Sequence, residues 1–121
     1  LAALSERWSV GVVCDTRITP APILRDCLRA HKLSKYIDVA VFSDEIGAAK
    51  PSRLPFRIAA EELGVNPDEI VHVGPSEDRD VEGAAAVGAW AIHLGSGPTC
   101  ADAQCAHLGD IADAVQRLLT A

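Results

Sequence analysis

The sequence predicts a three-layer α/β sandwich of the Rossmann-like kind, built on a parallel sheet. Three observations carry this expectation. Short apolar runs, most of them rich in β-branched residues, recur at 10–14, 38–43, 70–73 and 89–94. Stretches of helical periodicity lie between them. Strands alternating with helices of this length form right-handed βαβ crossovers and bury a parallel sheet between two helical layers. No repeat or linker-like tract divides the 121 residues, so they read as one domain.

Each element has its own signal. Leu1, Leu4 and Trp8 share a helical face and read as the last turns of a helix. Val10, Val12, Val13 and Cys14 form a first buried strand, interrupted by Gly11. Thr19-Pro20 predicts a helix start, with Thr19 as N-cap and Pro20 at the first helical position. Ile23, Leu24, Cys27, Leu28 and His31 supply its inward face. Residues 38–43 make the second strand. Ser52 caps the next helix, with Leu54, Phe56, Ile58, Ala59 and Leu63 as apolar positions and Gly64 as its stop. Pro55 is tolerated there because it falls in the first turn. Residues 70–73 form the third strand, 80–87 an Ala-rich helix ended by Gly88, and 89–94 the fourth strand, with Trp90 anchoring a sheet face. Ile111, Val115, Leu118 and Leu119 mark an amphipathic C-terminal helix.

Composition excludes several functions. The apolar share of 49% and charged share of 23% are those of a folded globular chain. A formal net charge of −6, with scattered basic residues, argues against a nucleic-acid partner. No apolar run approaches the roughly 18 residues that a membrane-spanning helix needs, so no membrane partner is expected. Cys14 and Cys27 read as small buried hydrophobes. Cys100, Cys105 and His107 give a C-x4-C-x-H spacing that fits no common zinc module. The expectation is a cytoplasmic protein with free thiols.

Chemistry in such a fold gathers at the carboxyl ends of the strands. Here those ends carry Asp15-Thr16-Arg17, then Asp44-Glu45 and Gly47-Ala48-Ala49-Lys50-Pro51, then Gly74-Pro75-Ser76-Glu77-Asp78-Arg79-Asp80. A hydroxyl, an ammonium and several carboxylates converging on one crevice suit a phosphate beside a metal ion. His72 and His93 read as packed core histidines, and Glu61-Glu62 and Asp68-Glu69 as solvated faces. Asp80 also reads as a cap for the helix that follows it.

Val13-Cys14-Asp15-Thr16, the segment from Ser43 to Pro51, and the segment from Val71 to Ala84 together resemble the second, third and fourth motifs of the haloacid dehalogenase superfamily. The resemblance runs from about Trp8 to the last helix. It implies a hydrolase of the phosphatase type, acting on a small phosphorylated metabolite through an aspartyl-phosphate with Mg2+ as cofactor. It implies that Thr16 binds the transferring group and that Lys50 neutralises its charge. Asp15, where many relatives carry Asn, and Ser76 are further substrate-binding candidates. Asp80 is the second acid of the fourth motif, orienting Lys50 or a metal-bound water, and a metal candidate.

The chain departs from that pattern twice. The opening Asp-x-Asp motif, which supplies the nucleophile, is absent. The metal-binding acid after Gly74 is replaced by Pro75, which offers neither a carboxylate nor an amide hydrogen. Glu77 and Asp78 are the nearby acids that could compensate, and Asp15 is a further candidate. The missing strand belongs in the centre of the family's sheet, between the first and third strands seen here. The expectation is therefore the C-terminal part of a longer protein whose sheet closes by direct pairing, by a second copy of the chain, or by an N-terminal fragment. This chain alone should be inactive. The alternative is a non-catalytic binding or scaffold module, possibly a homodimer.

Overall fold

The computed structural model describes residues 1–16, 19–50 and 52–120. The elements run in chain order as α1 (Ala2–Ser5), β1 (Gly11–Cys14), α2 (Ala21–Ala30), β2 (Val39–Phe42), α3 (Ser43–Ile46), α4 (Arg53–Leu63), β3 (Val71–Gly74), α5 (Gly83–Ala86), β4 (Trp90–Leu94), β5 (Ala103–Cys105) and α6 (Ile111–Thr120). All strand pairs are parallel, in an α/β alternation without a closed barrel. Four of the strands are those expected from the apolar runs. The fifth, Ala103–Cys105, is too short and too polar to announce itself; it exists because it adds to the free edge of β4.

The parallel strands form two pieces rather than one sheet. β1 pairs with β2, Gly11 opposite Val39 and Cys14 opposite Phe42. β3, β4 and β5 make the second piece, in that order. Among the described residues β1 and β3 do not pair, which corrects the expectation of closure by their direct pairing. Each keeps one edge of backbone N–H and C=O groups without a strand partner. Helix packing rather than strand pairing bridges the pieces, through α4. On one face α4 touches β1 and β2 while its Phe56 packs against Val81, Ala84, Ala89 and Ala91. A second cluster holds Leu4 and Trp8 with Ile92, Val115, Val71 and Val73.

Helix boundaries follow local chemistry, with one correction. α4 starts after Ser52, whose hydroxyl accepts the Leu54 amide, and stops at Gly64 in the left-handed conformation (φ 74°). α2 starts one residue later than expected: Pro20, not Thr19, is the N-cap, and it has no side-chain acceptor to offer. The Asp44 carboxylate does this from across the fold, accepting the Ala21 amide at 2.9 Å. The expected inward face of α2 is also narrower. Leu24 and Leu28 are half-buried, whereas Ile23, Cys27 and His31 are exposed, because a two-stranded piece is too narrow to cover the helix. Leu54, at the first turn of α4, and Trp90, the first residue of β4, are exposed rather than anchored.

The segment expected as a helix over 80–87 is wound differently. Glu77–Glu82 forms a wide π-type turn in which the Ser76 carbonyl accepts both the Asp80 and Val81 amides, and α5 follows it. All four cysteines are free, Cys105 buried in β5 and Cys100 exposed. No helix among the described residues is long and apolar enough to cross a membrane.

Candidate active site

The centre of the site is Asp80. It is 4% exposed and sits in the wide turn after β3. Gly74 ends that strand, and a Cβ there would overlap the Asp80 carboxyl carbon, so glycine is what lets the acid fold back over the strand end. Residues 72 and 74 lie on the same face of a strand. The side chain that meets Asp80 there is His72, whose Nε2 donates to Oδ1 at 2.9 Å. Lys50 Nζ donates to the same oxygen at 2.7 Å, and the Ser76 amide donates to Oδ2 at 3.0 Å. Burial alone raises the pKa of Asp80. The hydrogen bonds from His72, Lys50 and Ser76, with the charge on Lys50, reverse this and hold it well below the usual carboxylate range.

Lys50 thereby ties the two pieces of sheet together. Its amide donates to Asp15 Oδ1 at 3.0 Å, at the end of β1, while its ammonium reaches Asp80 beyond β3. The pair is nearly dry, with 12% of the lysine side chain and 5% of the aspartate exposed. A buried pair of this kind adds little net stability but fixes both groups in place.

Thr16 sits at the end of β1, in the β1–β2 piece. Its Oγ1 accepts the Asp44 amide at 2.8 Å and shares a hydrogen bond of 2.8 Å with Ser43 Oγ, which also accepts the Thr16 amide. Asp44 therefore has two tasks, presenting its amide to Thr16 and its carboxylate to α2. That capping contact, first among the causes, keeps its pKa low. Glu45 beside it pairs with Arg25. Arg17 and Pro51, named in the expected loops, lie outside the described residues.

Of the sequence-predicted residues, the structure joins Lys50, Asp80, Asp15 and Ser76 in one hydrogen-bonded set. Thr16 is held beside it by Ser43 and Asp44. His72 and Ser43 were missed as members. His72 gave no separate signal, since a histidine inside a strand reads equally well as a core residue. Ser43 gave none either, since its role rests on the parallel register that sets Cys14 opposite Phe42.

Whether Mg2+ fits is a question of free oxygen donors, since the ion takes carboxylate, carbonyl or water ligands in octahedral geometry. Asp80 already accepts three hydrogen bonds. Glu77, expected as a substitute ligand, gives Oε2 to the Thr99 hydroxyl and Oε1 to the Cys100 amide, both at 2.7 Å. Asp78 is exposed, and Asp15 gives Oδ1 to the Lys50 amide at 3.0 Å. Among the described residues no three acids, histidines or cysteines converge. The residues present here do not fit the ion.

A parallel α/β core with an acid-held lysine at the carboxyl ends of its strands has its candidate site where ligands bind in open α/β sheets. The profile of the haloacid dehalogenase-like hydrolases matches residues 1–88, and the chain belongs to that family. Phosphoglycolate phosphatase from Escherichia coli K12 is 31% identical over 75 residues, 62% of this chain and 29% of that protein. A phosphatase of the superfamily from Thermococcus onnurineus superposes with a TM-score of 0.83 at 29% identity, over 94% of this chain and 54% of its own. A 2-haloacid dehalogenase from Pseudomonas syringae shares the fold, with a TM-score of 0.81 at 23% identity, over 97% of this chain and 50% of its own. The chain thus spans less than a third of the curated relative and about half of the solved structures.

Proposed function

We propose that this chain is the anion-binding half of a cytoplasmic haloacid dehalogenase-like phosphohydrolase, acting on a small phosphate monoester when a nucleophile-bearing strand joins it. The observation that carries the reading is the Lys50–Asp80 pair at 2.7 Å, which presents one fixed cation where the loops after β1, β2 and β3 meet. Lys50 neutralises the substrate anion and Asp80, braced by His72, holds it in place. Thr16 adds a hydrogen bond. When Ser43 is the donor in their shared contact, Thr16 Oγ1 accepts twice and keeps its own proton for a phosphoryl oxygen.

The free edges of β1 and β3 support the second part of the reading. A strand from an N-terminal fragment or from a second copy of the chain would pair with them, and the fragment is the occupant that would also bring an aspartate nucleophile. The purified 121-residue chain is then expected to show no turnover of p-nitrophenyl phosphate. In the natural full-length polypeptide Lys50→Ala should lower kcat/KM by about a hundredfold or more, as loss of a preorganised charge does. Steady turnover by the 121-residue chain, abolished by Lys50→Ala, would refute this reading. Pro75 favours a second one, a non-catalytic binding module; a full-length polypeptide that binds phosphate through Lys50 without turnover would establish it. Light scattering separates the two ways of filling the edges, since a monomer at every concentration excludes the second copy.

A further inference from the structure

We propose that the loop after β3, from Pro75 to Arg79, is held in shape by a protein latch from β4 and the connection that follows it, and that this latch stands in for a divalent cation, so that the loop neither needs nor binds Mg2+. The inference rests on the family reading only for the place where an ion would be expected; the latch itself is visible in the hydrogen bonds.

Two arms make the latch. In the first, His93 of β4, which is 8% exposed, meets the Pro75 carbonyl through Nε2 at 3.1 Å. A carbonyl only accepts, so Nε2 carries the proton and Nδ1 is the acceptor. The Gln104 amide nitrogen donates to Nδ1 at 3.0 Å and to the Gly97 carbonyl at 2.9 Å, which fixes that tautomer. Gly95, with φ of 150°, passes so near the ring that a Cβ there would lie 3.1 Å from its Cε1. In the second arm, the Glu77 carboxylate accepts from Thr99 and Cys100, and the Thr99 hydroxyl in turn accepts the Ala101 amide at 3.1 Å. The Cys100 amide and the Thr99 hydroxyl keep the Glu77 carboxyl below its ordinary pKa.

The interior of the loop is satisfied as well. The Ser76 amide goes to Asp80 and the Arg79 amide to Ser76 Oγ. No buried side-chain nitrogen or oxygen among the described residues lacks a partner. A loop shaped around a cation leaves carboxylate oxygens aimed at a common point and in need of that charge. Here the acid that could ligate at position 75 is gone, its carbonyl is turned to a histidine, and the next acid has spent both oxygens on hydroxyl and amide donors. The loop is complete without an ion.

The test uses the natural full-length polypeptide and Mn2+ as a paramagnetic substitute for Mg2+. Amide signals of Gly74 and of 76–80 should show no saturable broadening in the native protein. Pro75→Asp, at an exposed position, should bind the ion about tenfold more tightly or better, the scale on which a ligand shell changes affinity. Saturable broadening at Gly74 or 76–80 in the native protein, weakened by Glu77→Gln or Asp78→Asn, overturns the proposal, and this readout needs no variant that folds differently. Glu77→Ala should speed hydrogen exchange at the Cys100 amide roughly tenfold, the worth of one charge-assisted hydrogen bond, with or without Mg2+. Unchanged exchange there overturns the latch. None of these measurements uses turnover, so a failure of the phosphohydrolase reading, seen as no p-nitrophenyl phosphate hydrolysis in either protein, leaves the metal result standing on its own.

Discussion

Asp80 accepts from a lysine, an imidazole and an amide within 3.0 Å, and its charge is what those donors require. Its folded-state pKa lies below that of an unfolded aspartate, about 3.9. The stabilisation from these contacts is complete above that value and drains away as pH falls through the folded-state pKa. Stability measured by denaturant titration should be flat from neutral pH down to about 4 and then fall. Asp80→Asn should cost about 1–3 kcal/mol at neutral pH by leaving donors mismatched, and should flatten the acid limb. The limb will not vanish, because Asp44, Glu45 and Glu77 are also held low. An acid limb identical in Asp80→Asn would show that the charge of Asp80 is not what these contacts use. That Lys50 and Asp80 lie in loops at strand ends was legible in the sequence, and the roles expected of them came from the family resemblance. The importance of His72 was not legible, because a histidine inside a strand is equally at home in a core, and here it is both: its ring stands edge-on to Phe56, centroids 4.9 Å apart, while its nitrogen serves Asp80.

The elements that place these residues are short, and their ends matter more than their middles. β3 has four residues, and its last, Gly74, is chosen for the space it leaves. Gly74→Ala forces the Asp80 side chain off the strand end and breaks three hydrogen bonds together. A loss of about 2–4 kcal/mol is expected, more than simple overpacking gives, with separation of the Lys50 and Asp80 resonances as the local signature. An alanine variant as stable as the native protein would contradict the packing described. Strand positions were readable because short apolar runs between turn residues have few other uses. The start of α2 was not, since the group that caps it comes from Asp44, 23 residues further along the chain. Nor was the wide turn at Glu77–Glu82, which owes its shape to the Ser76 carbonyl accepting two successive amides above a buried acid.

At the scale of the molecule, the two pieces of sheet are joined among the described residues by helix packing and by the Lys50–Asp80 ion pair rather than by a ladder. β4 has partners on both sides, whereas β1 and β3 each have one. Hydrogen exchange should follow this order, with amides of β4 the slowest and those on the open edges of β1 and β3 opening at much lower free energy. Addition of a peptide strand that fills the edges should protect β1 and β3 together. Equal protection across all strands in the 121-residue chain would mean that the edges are already paired in solution.

The sequence by itself determined the order of strands and helices, the placing of charged loops at the carboxyl ends of the strands, and the family those loops resemble. Each of these depends on residues close together along the chain, where periodicity and turn chemistry act directly. Only the tertiary structure decided that the sheet divides, that Asp44 caps a distant helix, that His72 braces Asp80, that the Pro75 carbonyl is taken up by His93 of β4, and that Glu77 is taken up by the β4–β5 connection. Those outcomes are choices among hydrogen-bond partners brought together by packing, and a buried donor or acceptor settles on whichever partner the fold delivers to it.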